Sequence, residues 1–415
     1  MTRIKYFSII FELASPLAIG SGENANTDSD IILDSSGKPT IPATAIAGVF
    51  RNYLNVGEYS ELFGYIPKAG TNAPKDKAHE SNIRFYDARL ISDSFFTTVR
   101  DSVKLENKVG VNGAKFDIEA VETGIGFEAV IEFKDDGSNA EADILRTLGA
   151  INAGFLRIGS KTSRGYGRLK VVSLKKAEFT LPDDRAKWLD FDLFNAEDKC
   201  YKETALSDSA DHFISIKMKL KQNGAISIRS YTVKNKDDIR SADYIQLSLK
   251  DGTSVIPGTS WAGAFRDRFS QLSNETLTKE LFGYADTENL SQKKSLIYFS
   301  ESEISGGEMK FITRNSIDRF TAGTKDSALY KEKTCYNGNC DLEIFINKNG
   351  LKDAKKNIAL ICAVICDLDK GYLAVGGLTS VGRGMFTVES ITVNGTDVTD
   401  ALKADNVSAM AKEAL

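Results

Sequence analysis

The sequence predicts an α+β chain of two tandem domains, each of βαββαβ order with loops and hairpins inserted. Two observations carry that expectation. A length of 415 residues exceeds one ordinary core and suits two domains of roughly 200 residues. The chain also repeats itself. "IPATAIAGVFRNYL" from Ile41 matches "IPGTSWAGAFRDRF" from Ile256, and "ELFGY" stands at Glu61 and again at Glu280. "VRDSVKL" around Arg100 matches "TRNSIDR" around Arg314, and "IGSKTSRGYG" from Ile158 matches "VGGLTSVGRG" from Val375. The four pairs keep their order, with offsets between 214 and 219 residues. They define domains over 1–176 and 210–395, a charged linker over 177–209, and a tail over 396–415 that reads as helical.

Each repeat has the same succession of elements. The start, "MTRIKYFSIIFELASP", reads as a first strand; Glu12 interrupts the apolar run that a secretory leader would need. Its counterpart "HFISIKMKLK" places Ile214, Ile216, Met218 and Leu220 on one face and lysines opposite. A polar, acidic loop follows, "GSGENANTDSD" in the first copy. Ile-Pro then opens a helix, with Thr44 or Thr259 expected as N-cap. Ala45, Val49, Phe50, Tyr53 and Leu54 recur there at helical spacing. Middle strands come next, then a second helix, "EADILRTLGAINAGF", a glycine-rich loop and a last strand, "RLKVVSL". That order is ferredoxin-like, with helices on one sheet face and the other face expected free for a ligand.

Composition narrows the function. With 42% hydrophobic and 27% charged residues the chain reads as soluble and globular, and no apolar run approaches the roughly 20 residues of a membrane span. A net charge of -4 speaks against a free-standing, non-specific nucleic-acid binder while leaving room for one basic surface. Five cysteines, an odd number without a dense framework, point to a reducing, cytoplasmic compartment. Cys335 and Cys340 are spaced like some zinc ligands, but His79 and His212 are the only histidines and no second such pair exists. A zinc site is therefore not expected. Cys362 and Cys366 lie in an apolar helical run and read as buried thiols. The scarcity of histidine also disfavours histidine acid–base chemistry.

Two loops carry the chemistry. Around Gly159, Gly165 and Gly167, the hydroxyls of Ser160, Thr162 and Ser163 and the cations Lys161, Arg164 and Arg168 form a composition suited to gripping phosphate; a plain helix-to-strand turn would look similar. It is no nucleotide P-loop, since GxxxxGK[ST] is absent and the loop follows a helix. The second copy keeps Thr379, Ser380 and a single cation, Arg383, and so is expected to grip less strongly. The other loop is acidic: Asp28, Asp30 and Asp34 precede Ile41, and Asp243 stands the same distance before Ile256 as Asp28 does before Ile41. A carboxylate at one register in both repeats is either an ordinary turn residue or the holder of a divalent metal beside an RNA backbone.

These residues resemble the RAMP superfamily, and more narrowly the backbone subunits of type III CRISPR–Cas effector complexes. The resemblance rests on the Ile-Pro-Gly-x-Ser-x-x-Gly-x-x-Arg helix start at Ile256, the G-x-x-x-S-R-G-x-G loop at Gly159, and "NSIDRFTAG" from Asn315. It covers both halves outside the linker and tail. It implies a modified RRM-type ferredoxin fold that binds guide RNA across its palm, with a thumb hairpin that displaces a base at regular intervals of the guide–target duplex. The thumbs would lie near 105–126 and 321–340. Catalytic members cut the paired target RNA metal-dependently with a loop aspartate. That role implies Asp28 as catalytic residue and Mg2+ ligand, because "DSDIILD" matches the family's Asp-x-x-Val-x-x-Asp pattern, and Asp243 in the second copy, where the continuation is lost. Guide contacts fall on Lys161, Ser163, Arg164, Arg168, Thr379, Ser380 and Arg383, with Arg51 and Arg266 as weaker candidates. Other effector subunits would be partners. Two rivals stand beside this reading: a structural or capping subunit that holds guide RNA without cutting, and a metal-independent guide-processing ribonuclease, which the low histidine count disfavours.

Overall fold

The computed structural model describes residues 2–22, 27–54, 60, 62–66, 78–106, 109–135, 137, 139–207, 212–230, 242–286 and 290–415. The chain divides into two compact units, Met1–Thr162 with Tyr166–Asp211, and Ser163–Gly165 with His212–Leu415.

The principal elements of the first unit are β1 (Thr2–Leu13), α1 (Ala43–Tyr53), β2 (Ile83–Phe85), β3 (Thr97–Glu106), β4 (Val109–Val121), β5 (Gly126–Asp135), α2 (Ala140–Asn152), β6 (Leu169–Leu181) and α3 (Arg185–Asp190). β1 is central, antiparallel to β5 on one side and β6 on the other, and β2 pairs with the far edge of β5. β3 and β4 form a separate two-stranded hairpin. Alternation along β1 puts Phe7, Ile9, Phe11 and Leu13 in one cluster with Ile46 and Phe50 of α1 and Ile144, Leu148 and Ile151 of α2. Each such buried side chain contributes about 1.5–3 kcal/mol relative to exposure.

β1 is apolar on its other face too, and this corrects the expectation of a free sheet surface. Ile4 and Tyr6 lie there in a second cluster with Val130, Ala177, Phe179 and Tyr201, against which Trp188, Phe191, Leu193 and Phe194 pack. The Tyr6 ring meets Phe179 at 6.1 Å and Phe191 at 5.1 Å, and Trp188 Nε1 donates to the Tyr6 hydroxyl at 3.0 Å. The segment expected as a linker is thus the first unit's outer layer: β6 runs on to Leu181, and the aromatics of "WLDFDLF" fold back over the sheet because they have apolar surface to bury.

The second unit repeats the plan with β7 (Phe213–Asn223), α4 (Gly258–Leu272), α5 (Glu275–Phe282), β8 (Ile297–Phe299), β9 (Glu308–Ile317), β10 (Thr324–Tyr336), β11 (Asn339–Asn347), α6 (Ala354–Asp369), β12 (Met385–Val393), α7 (Thr399–Lys403) and α8 (Val407–Ala414). β7 lies antiparallel between β11 and β12, with β8 on the far edge of β11. Ile214, Ile216, Met218 and Leu220 face inward as their alternation predicts, against Trp261, Phe265 and Phe269 of α4 and Ile361 and Ile365 of α6. The tail is helical, and Leu402, Met410 and Ala414 belong to the same core. Cys335, Cys340, Cys362 and Cys366 are buried in it; burial pushes the thiols of Cys340 and Cys362 up to about 12.

Both Ile-Pro helices begin two residues earlier than expected. Pro42 and Pro257 occupy the N-cap positions, and neither helix has a side-chain cap of its own. Thr44 and Thr259 sit within the first turns. The first amide of α1, that of Ala43, is satisfied instead by Asp87 Oδ1 at 2.7 Å. No helix among the described residues is long and apolar enough to cross a membrane.

Candidate nucleic-acid interface

The two glycine loops are seated by the same three main-chain hydrogen bonds. In the first repeat Ile158 N–H donates to Gly167 O at 2.9 Å, Ser160 N–H to Ala18 O at 2.8 Å, and Gly167 N–H to Pro16 O at 2.8 Å. In the second, Val375 donates to Gly384 O at 2.9 Å, Gly377 to Ser227 O at 2.8 Å, and Gly384 to Ala225 O at 2.8 Å. The glycines serve that seating. Gly159 and Gly376 have φ of +94° and +92°, and a Cβ would stand 2.6 Å from Ala18 O and 2.8 Å from Ser227 O. At Gly167 and Gly384 a Cβ would collide with the carbonyls of Ile158 and Val375. The close approach expected toward a phosphate is therefore made to the chain's own backbone, and three amides per loop are taken up internally.

What each loop presents lies between those bonds. Ser160 and Arg164 are exposed and Ser163 and Arg168 half-buried. Lys161, in the left-handed region at φ 50°, holds its ammonium 3.9 Å from the centroid of Phe116 on β4. Ser163, Arg164 and Gly165 belong to the second compact unit, where Phe299 N–H donates to Ser163 O at 3.2 Å. In the second loop Thr379–Val381 forms a single 3-10 turn between Leu378 and Gly382, both left-handed, and Ser380 is exposed.

Arg383 corrects an expectation. It is 3% exposed, and its Nη2 lies 2.6 Å from Glu332 Oε2 on β10, so its charge meets a carboxylate of the chain itself. In the matched loops Arg383 stands opposite Tyr166, another buried residue at 3% exposure, rather than opposite a surface cation. Arg51 is exposed in the last turn of α1, over the Phe63 ring at 5.8 Å. Arg266 is half-buried, with Nη1 donating to Gly283 O at 3.3 Å; burial, and then the charge of Arg164, lower its pKa.

The loop aspartates are placed alike. Asp28 N–H donates to Asp117 Oδ1 at 2.8 Å and Asp117 N–H to Asp28 Oδ2 at 2.9 Å. Asp243 N–H donates to Lys331 O at 2.8 Å, and Lys331 N–H to Asp243 Oδ2 at 2.8 Å. Asp117 on β4 and Lys331 on β10 are 214 residues apart, the same offset as Arg100 and Arg314. Each aspartate thus docks on the second strand of its repeat's hairpin. Asp28 is exposed. Its companions differ: Asp30 accepts from Thr27 N–H and Oγ1 at 2.8 and 2.7 Å, and Asp34 from Ser36 Oγ and N–H and Lys38 N–H, which holds its carboxyl below the usual range. These two shape the loop.

Sequence reasoning did not single out Asp117, which brings a second carboxylate beside Asp28, nor Glu332. Two neighbouring carboxylates are a donor set of the kind that holds Mg2+ together with substrate phosphate. Among the described residues, no three histidine, cysteine or acidic side chains come together as a metal site. The hairpins Thr97–Val121 and Glu308–Tyr336 overlap the segments 105–126 and 321–340 expected to carry thumbs. In the first hairpin, residues 107 and 108 lie outside the described residues. At the second, Asp318 Oδ1 accepts from Phe320 and Thr321 N–H and the Phe320 side chain is 90% exposed.

A duplicated α+β unit with a glycine loop, an inserted hairpin and an aspartate docked on that hairpin is the class this geometry defines. The sequence matches the RAMP superfamily over residues 10–170 and 230–387, more than half of its length; the chain belongs to that superfamily. Among solved structures it is similar to a chain in a cryo-EM structure of the Type III-B Cmr-beta bound to cognate target RNA. That likeness has 16% identity, covers 44% of this chain and 61% of that one, and has a TM-score of 0.33. No curated protein matches the chain.

Proposed function

We propose that this chain is a fused, tandem backbone subunit of a type III CRISPR effector complex that binds guide RNA and cuts complementary target RNA with a divalent cation. Membership in the RAMP superfamily and the motifs it shares with type III backbone subunits support the reading. So does the sheet order: with the hairpin strands left out and the remaining four principal strands of each repeat counted in chain order, both sheets run 4-1-3-2 (β6-β1-β5-β2 and β12-β7-β11-β8), in keeping with a ferredoxin-like βαββαβ unit. Such a subunit would work in the cytoplasm with other effector subunits as neighbours.

The observation that carries the nuclease reading is the pair Asp28–Asp117. Asp28, like Asp34, is exposed, but it is Asp28 that bonds with β4 hold beside a second carboxylate, so its carboxylate needs no reordering when RNA arrives. Asp28 and Asp117 would hold Mg2+, whose charge offsets that of the phosphate under attack. Ser160, Lys161, Ser163, Arg164 and Arg168 would line the guide's path in the first repeat, and Thr379 and Ser380 in the second, with Arg51 and Arg266 at the periphery. Arg383, tied to Glu332, is not part of that lining.

A second reading, a subunit that holds RNA without cutting, is favoured for the second repeat alone, because Lys331 stands where Asp117 stands in the first. The test is cleavage mapping on the assembled complex, loaded with guide RNA and given labelled complementary RNA and Mg2+. Wild type is compared with Asp28→Asn and Asp243→Asn. Loss of a defined product in Asp28→Asn supports the nuclease. RNA bound but uncut by wild type, or a cut pattern that neither substitution alters, leaves only the scaffold.

A further inference from the structure

Glu332 is 2% exposed and sits between two guanidinium groups. Arg383 Nη2 lies 2.6 Å from Oε2 and Arg229 Nη2 3.2 Å from Oε1. The three residues come from three different elements. Arg383 ends the second glycine loop. Glu332 is on β10, the second strand of the hairpin. Arg229 is on the short strand Arg229–Ser230, which pairs with Tyr244–Gln246 directly after Asp243. Arg229 also lies over the Tyr244 ring at 4.1 Å, and Tyr244 is in parallel register with Glu332. Two further links join the same place: Thr334 Oγ1 donates to Ile226 O, and Lys331 N–H to Asp243 Oδ2 at 2.8 Å.

The first repeat fills this site without a carboxylate between two guanidinium groups; the nearby charge is Arg100, 4% exposed, over the Tyr166 ring at 5.8 Å. Where the second has Arg383, Glu332, Thr334 and Ser227, the first has Tyr166, Ile118, Ala120 and Ala18, and Ala18, Ile118, Ala120 and Tyr166 form one buried apolar cluster. A buried ion pair is weak evidence of stability, since well-packed apolar residues of similar volume do as well or better. What directional, charge-assisted bonds add over packing is geometry.

We infer that Glu332 is a positioning residue: by holding Arg383 and Arg229 at once it fixes the second glycine loop and the Asp243 strand in register with the hairpin. The inference rests on the reading that this loop meets RNA, and it assigns Arg383 an internal rather than an RNA-facing task. It also accounts for a loop that keeps Thr379 and Ser380 yet presents no cation of its own: what it offers a ligand is shape, which is useful only if the loop is already in place.

The experiment uses the full chain and a labelled single-stranded RNA. The first repeat's residues are grafted into the second as Glu332→Ile with Arg383→Tyr. Thermal unfolding, RNA affinity and RNA-induced protection of amides 376–383 from hydrogen exchange are then compared with wild type. Expected are a folded chain with a somewhat lower melting temperature, because Arg229 loses its carboxylate, affinity lower by roughly tenfold, and lost protection at 376–383. A graft that folds and keeps both affinity and protection overturns the inference, because packing alone then suffices. Should the graft not fold, Glu332→Gln decides without RNA. Faster exchange confined to 225–230 and 375–384 supports positioning, whereas no change, or a change spread over both units, refutes it. A wild-type chain that binds no RNA defeats the proposed function instead, and the exchange comparison still judges Glu332.

Discussion

At the base of the first hairpin the glycine loop is held by a cluster of Tyr166, Ile118, Ala120 and Ala18, with the buried Arg100 over the Tyr166 ring at 5.8 Å and no carboxylate bridge. At the base of the second, the same attachment is made by Arg383 on Glu332 and by Thr334 on the carbonyl of Ile226. The main-chain bonds beneath are the same in both. Backbone architecture was therefore kept through the duplication while the side-chain glue changed type, and the aspartate sites diverged with it, Asp117 facing one loop and Lys331 the other. Packing tolerates substitution of similar volume, whereas a buried ion pair fixes an angle and a partner.

The sharpest break in the symmetry should appear in cleavage. Asp28→Asn is expected to slow cutting at its site at least ~100-fold, the scale of losing a positioned group at a reacting centre, while Asp243→Asn changes the rate far less. Quantified product bands from one gel give both numbers, and equal losses would mean that Lys331 does not set the repeats apart.

The shared backbone predicts symmetry in stability. Gly167→Ala and Gly384→Ala should each cost about 2 kcal/mol, from a Cβ in the left-handed region and its collision with a carbonyl. Urea unfolding measures this, and a large difference between the two would show that the loops are not seated alike. Trp188→Ala tests a feature described only in the first unit, its aromatic outer layer. Loss of the Tyr6 hydrogen bond and of packing should cost about 2 kcal/mol, below the full range for a core aromatic because Trp188 is only half-buried. A neutral outcome would make that layer incidental.

Charge at the loops gives the smallest effect. Arg164→Ala should lower the slope of log affinity for single-stranded RNA against log salt by about 0.7. Ser380→Ala should leave the slope where it is. Binding measured across a salt series tells the two apart.

Much of this was legible in the chain. The tandem repeat, the first strands, both helix pairs and the helical tail followed from alternation, helical spacing and matched motifs, and the register of Asp243 followed by counting from Ile256. Other features depend on which faces are covered, and periodicity along one segment does not report that. Ile4 and Tyr6 on the back of β1 hint at a second apolar surface, but nothing local says that Trp188 and Phe191 will cover it. Arg383 reads as a surface cation from composition; opposite Tyr166 in the matched loops it reads as an interior residue. Asp117 and Glu332 escaped because their partners lie far away in sequence and are met only once the hairpins fold back onto the loops.

The aromatic layer on the first sheet bears on how this chain can be taken apart. A split at residue 176, where the repeat motif ends, would leave the first half with Ile4, Tyr6 and Val130 bare and the second half trailing Trp188, Phe191 and Phe194 in water. Both fragments would then carry complementary sticky surfaces and should aggregate or re-associate. A split just before His212 leaves that layer on the half it covers. The joint between the two repeats is thus not the place where the homology stops, and any experiment that expresses them separately inherits that distinction.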